Sequence, residues 1–169
     1  FGGLSAKDVV ITLQGENDLP TITPGTLLLS EDASPQSSTL DLTKYSFDKD
    51  LGDTLFYTRS VAASGEFTFT SGTGAPLTVE LQKLDELRAS FRVQGRDLTV
   101  DPSPWQFLPA GSTATTTIEC TATDSEGARS SAPFTVTLQG LNDAPTITPG
   151  TLLLSEDASP QSSTLDLTK

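Results

Sequence analysis

Apolar and polar residues alternate along most of this chain with a period of two, the spacing of a strand that buries one face. Val9, Ile11 and Leu13 alternate with Val10, Thr12 and Gln14, and Phe134, Val136 and Leu138 alternate with Thr135, Thr137 and Gln139. Each of these stretches reads as the closing strand of a unit. Between them, short strands are expected over 21–30 (broken at Pro24-Gly25), 39–47, 55–60 and 66–70. Phe91, Val93, Leu98 and Val100 flank Gln94-Gly95 as a hairpin. Over 115–123, Thr116, Ile118, Cys120 and Ala122 share one face. Only Leu77, Leu81, Leu84 and Leu87, behind Pro76, follow helical spacing, which predicts one short helix over 77–88. Residues 101–110 form a Pro-rich connection carrying Trp105 and Phe107. Roughly seven one-faced strands separated by turn signals predict an all-β fold, an antiparallel two-sheet sandwich. Ile118, Cys120, Phe134, Val136 and Leu138 are expected in its core.

Residues 20–44 recur at 145–169 without a substitution, a period of 125 residues. The junction before each copy is also shared, T-L-Q-G-E-N-D-L-P over 12–20 and T-L-Q-G-L-N-D-A-P over 137–145. A repeat with one domain's worth of sequence between its copies marks a tandem array. Residues 1–15 read as the last strand of a preceding repeat. Residues 16–140 form one complete sandwich repeat, and 141–169 are the linker and first strands of the following one. A unit of this length can bury its own core without staples.

The formal charge is −12 and histidine is absent. So acidic a surface argues against nucleic acid or anionic lipid as a partner. The lack of histidine removes the usual general base near neutral pH, and an enzyme is not expected. A carboxylate pair of the glycosidase kind would need a cleft, whereas the acids here fall at the ends of a sandwich. Cys120 is the single cysteine, so no disulfide forms within the chain, and zinc or copper chemistry is not expected. No apolar run reaches the roughly 18 residues of a membrane span. Direct membrane insertion is therefore not expected, and any export signal or anchor is expected outside these residues.

Four carboxylate groupings stand at predicted turns: Glu31-Asp32; Asp48, Asp50 and Asp53; Asp124 with Glu126; and Asn17-Asp18 with its repeat Asn142-Asp143. Oxygen-only ligands on loops suit a hard cation of calcium size, which takes about six to eight oxygens at flexible distances. The same residue types also simply make good turns. An EF-hand is excluded, because the run starting at Asp48 has Asp53 where the invariant glycine belongs and Arg59 where the bidentate glutamate belongs.

The order of these motifs resembles the cadherin-type repeats of bacterial surface adhesins, the group called VCBS or bacterial cadherin-like, as found in the extender regions of large RTX adhesins. The resemblance rests on E-D near the unit's start, D-K-D-L-G-D over 48–53, L-T-V-D-P-S-P-W-Q-F-L-P-A-G over 98–111, T-A-T-D-S-E-G-A over 121–128 and the junction G-L-N-D-A-P over 140–145. It implies an Ig/cadherin-like sandwich with calcium bound between repeats. Carried over, Asn17 and Asp18 would join Asp48, Asp50 and Asp124 at the upstream junction. Glu31 would join Asn142 and Asp143 at the far end. Asp53 and Glu126 have no counterpart in that set: Asp53 is expected as either a ligand or a turn residue, and Glu126 is expected to face solvent. Glu156, the repeat copy of Glu31, would have no complete site. Gly15 and Gly140 stand where animal cadherins have the first Asp of the junction, and the linker is shorter, so fewer ions per junction are expected.

The function so implied is a calcium-stiffened spacer, or extender, in an extracellular bacterial adhesin or surface fibre, on the cell surface or secreted. Its partners would be neighbouring repeats of the same chain and, laterally, other copies. Two alternatives stand beside it, a subunit of an extracellular matrix filament and a carbohydrate-binding sandwich. The latter would use Tyr45, Tyr57, Trp105 and Phe107 as a stacking face, although Trp105 is expected in the core.

Overall fold

The computed structural model describes residues 2, 6–34, 38–60, 67–72, 74, 77–145, 147 and 149. Their order is β1 (Thr21–Ile22), β2 (Gly25–Ser30), β3 (Thr39–Asp41), β4 (Ser46–Phe47), β5 (Phe56–Ser60), β6 (Thr68–Thr70), α1 (Leu81–Ala89), β7 (Phe91–Gln94), β8 (Asp97–Val100), β9 (Thr113–Thr123) and β10 (Arg129–Gln139). Two 3₁₀ turns, Leu42–Lys44 and Ser103–Trp105, complete the set.

The result is an all-β sandwich. Its larger sheet runs β2-β10-β9, with β5 and then β6 lying along the far flank of β9. The smaller sheet is β3-β8-β7, and β1 pairs with β4. Pairing is antiparallel except between β10 and β2, which run parallel from Phe134 opposite Gly25 to Gln139 opposite Ser30. The period-two pattern of β9 and β10 maps directly onto burial. Ile118, Cys120, Ala122, Phe134, Val136 and Leu138 are fully enclosed, and all but Ala122 share one core cluster with Leu42, Phe91 and Leu98. Burial pushes the Cys120 thiol up to about 11, so it behaves as a small apolar core residue.

Local chemistry redraws several predicted elements. The strand expected over 39–47 breaks because the Asp41 carboxylate caps a 3₁₀ turn, accepting from the Thr43 amide at 3.1 Å. The turn inserts Leu42 into the core. The expected helix starts at Leu81 instead of Leu77, since Leu77 and Val79 alternate with exposed Thr78 and Glu80 and meet the core as extended chain. Leu81 is consequently 81% exposed, while Leu87 is buried. Residues 9–13 form no strand: Val9, Ile11 and Leu13 are 79–91% exposed, with no neighbouring strand among the described residues to take their hydrogen bonds.

The expected break at Pro24-Gly25 separates β1 from β2, which starts at Gly25 itself. A Cβ on Gly25 would lie 2.6 Å from the Phe134 ring and 3.0 Å from that of Tyr45, which meet edge to face at 5.4 Å. Gly140 is tighter still. Its amide donates to Ser112 O at 2.8 Å, its carbonyl accepts from the Gly111 amide at 3.0 Å, and a Cβ would lie 2.3 Å from Pro109 O and 2.6 Å from Leu108 O. Both obstacles are backbone, so Gly140→Ala should destabilise the fold by about 1–3 kcal/mol in a urea melt. A neutral result would mean that the 108–111 turn yields freely. The same crowding leaves no room for an aspartate at this junction position.

Candidate metal centre

The loop after β4 and the turn after β9 meet at one end of the sandwich. Asp48 Oδ1 accepts from the Asp50 amide at 2.9 Å, the Asp53 amide donates back to Asp50 O at 3.3 Å, and Gly52 supplies the left-handed conformation at φ 96°. This curl brings the Asp48 and Asp53 carboxylates to one side. Across from them, Asp124 Oδ1 accepts from the Ala128 amide at 2.7 Å within a tight turn closed by Gly127. One carboxylate oxygen each from Asp48, Asp53 and Asp124 then lies within 4.8 Å of the others, close enough to hold a metal ion.

The junction segment lies against this cluster. Asn17 Nδ2 donates to Asp124 Oδ2 at 2.9 Å, and the Asp18 amide donates to Asp50 Oδ2 at 2.7 Å. The Asn17 hydrogen bond, with those of the Ala128, Gly127 and Glu126 amides, holds the Asp124 carboxyl below the usual range. Asp18 itself pairs with Lys49 at 3.3 Å. Asp50 is not one of the converging three. Ser125, absent from the expected ligand set, bridges by donating to Asp53 Oδ1 and lies 2.8 Å from Glu126, an exposed residue.

Asp48 Oδ2 and Asp53 Oδ2 are buried and accept no hydrogen bond. A carboxylate oxygen withdrawn from water without a donor is unfavourable, more so beside two other carboxylates. A cation relieves both penalties at once. The donor set is all oxygen, as hard divalent ions require.

At the opposite end, Glu31 is 1% exposed. Its Oε1 accepts from the Leu141 amide at 2.6 Å and its carbonyl from Gln106 Nε2 at 2.7 Å, while Oε2 has no partner. Burial pushes the Glu31 carboxyl above its ordinary value, and the charges of Asp143 and Asp32 add to this. Glu31 thus meets the linker that carries Asn142 and Asp143, both exposed. The repeat copy Glu156 lies outside the described residues.

A carboxyl whose folded pKa is raised favours the fold most below its unfolded value and opposes it as pH rises through the folded one. Glu31→Gln keeps an acceptor for Leu141 and removes the buried charge. In chelator at pH 7 it should therefore raise the melting temperature, with the gain shrinking as pH falls through the raised folded value and gone below the unfolded one, about 4.3. Destabilisation at pH 7 would show that the charge is compensated.

No family model and no curated protein matches this chain.

Tyr45, Tyr57, Trp105 and Phe107 do not share one exposed face. Trp105 is fully buried, Tyr45 packs on Phe134, and Tyr57 Oη shares a 2.6 Å hydrogen bond with Ser46 Oγ. Phe107 is 36% exposed, with Lys83 Nζ 5.9 Å from its ring centroid. Among the described residues no helix is long and apolar enough to cross a membrane.

Proposed function

We propose that this chain is a calcium-stiffened spacer from a tandem array in an extracellular bacterial adhesin or surface fibre. The observation that carries the proposal is the meeting of Asp48, Asp53 and Asp124, with two unsatisfied buried oxygens, against the linker residues Asn17 and Asp18. An ion there ties the incoming linker to two loops of the unit and converts a flexible joint into a coordinated one. The 125-residue sequence period supports the array, since an identical unit adds length without a new folding problem.

Repeating the unit would set the preceding copy of Glu31 beside Asp18, as Glu31 is set beside the Leu141–Asp143 segment here. Each joint would then draw oxygens from both neighbours. The motif order that resembles bacterial cadherin-like repeats supports the same reading. The direct test is calorimetric titration of the chain with calcium. Binding at about 10⁻⁴ to 10⁻³ M, lost in Asp53→Asn, is expected. Heats indistinguishable from dilution would return the acidic loops to the role of solvated turns.

A further inference from the structure

Lys49, Lys83, Arg88 and Arg96 each pair with a carboxylate, at 2.8–3.9 Å. Lys7, Lys44 and Arg129 are exposed. Arg59 and Arg92 differ from both groups. Among the described residues neither guanidinium forms an ion pair or a hydrogen bond, yet both line one open pocket of about 410 Å³ with Tyr57, Thr58, Val93 and Gln94.

The pocket lies where the flanks of the two sheets approach, β5 of the larger and β7 of the smaller. Arg59 sits opposite Cys120 on the inward face of β5 and is half-buried. Burial, then the neighbouring Arg92 charge, hold its pKa below the ordinary value. Hydrogen bonds from Ser103, and then the Arg92 charge, hold the Asp101 carboxyl low without an ion pair forming between Asp101 and Arg92, and Glu119 lies on the neighbouring β9, opposite Ser60. Two cations in one concavity, one of them partly withdrawn from water, repel each other unless an anion joins them.

We propose that this seam is a binding site for the carboxylate of an acidic saccharide. A carboxylate accepts paired hydrogen bonds from guanidinium groups. The Gln94 side-chain amide, on the same face of β7 as Arg92, offers both donors and an acceptor, which suit ring hydroxyls. An added peptide strand fits less well, because the edges of β5 and β7 already face each other across the seam and are short, five and four residues. The ligand would join two sheets through side chains and need no aromatic platform.

The test is calorimetric titration of the 169-residue chain with oligogalacturonate in the presence of chelator, which removes any bridging through a metal held by the aspartates. Saturable binding is expected, with none for a neutral oligosaccharide of equal length. Arg92→Gln and Arg59→Gln should each weaken binding roughly tenfold or more while the melting transition persists. Should Arg59→Gln fail to fold, the exposed Arg92→Gln decides alone. Absence of binding, equal binding of the neutral sugar, or unchanged affinity in Arg92→Gln overturns the proposal. Tighter binding of an oligoglutamate peptide than of the uronate also overturns it and assigns the seam to a protein partner.

Discussion

In millimolar calcium the melting temperature should rise, and the sign of an aspartate substitution should reverse between calcium and chelator. An ion that binds the native state alone at about 10⁻⁴ to 10⁻³ M, supplied at 10 mM, adds about 1.4–2.7 kcal/mol. For a domain of this size that is a rise of roughly 5–10 °C. In chelator, Asp53→Asn removes one of three mutually repelling carboxylates and offers an amide in place of the orphaned Oδ2, so it should raise stability. In calcium the same substitution removes a charged ligand and should abolish the gain. A purely structural aspartate would not show this reversal. A protein with two complete units should also be extended in calcium and shorter on average in chelator, read by small-angle scattering. Superimposable profiles would rule out stiffening even where calcium binds.

Trp105→Ala should be the most damaging single change in the core. Its indole is fully buried, meets Phe67 and Phe91 edge to face at 5.4 and 5.9 Å, and donates from Nε1 to Ser90 Oγ at 3.0 Å. Ser90 in turn donates to Leu87 O at 2.6 Å, closing the C-terminal end of α1. One side chain therefore ties the helix, β7 and the Pro-rich connection together. Truncation leaves a cavity that strands cannot collapse into, at a cost of about 3–5 kcal/mol. That corresponds to a fall of roughly 10–20 °C in melting temperature. Trp105→Phe keeps most of the volume and loses the hydrogen bond, so it should fall between the two. Equal effects of both substitutions would place the energy in the Nε1 bond rather than in packing.

The alternation of Thr116, Ile118, Cys120 and Ala122, and of Phe134, Val136 and Leu138, determined the two long strands and their buried faces without reference to any other part of the chain. A strand's side chains alternate by backbone geometry alone, so a core face is legible wherever the period holds. The carboxylate groupings and their loop positions were equally legible, because turns select Asp, Asn and Gly for local reasons. The parallel pairing of β2 with β10, the 3₁₀ turn that breaks 39–47 and the extended entry to α1 were decided by tertiary contacts and by one competing side-chain hydrogen bond. Asp48, Asp53 and Asp124 are separated by up to 76 residues, and no spacing rule links the loop after β4 to the turn after β9. Only the pairing of β5 with β9, which sets Phe56 opposite Thr123, brings those loops side by side, and with them the difference between Asp53, which converges, and Asp50, which binds the backbone of Asp18 instead. Loop position follows from local sequence, but convergence of charges follows from the packing of strands distant in the chain.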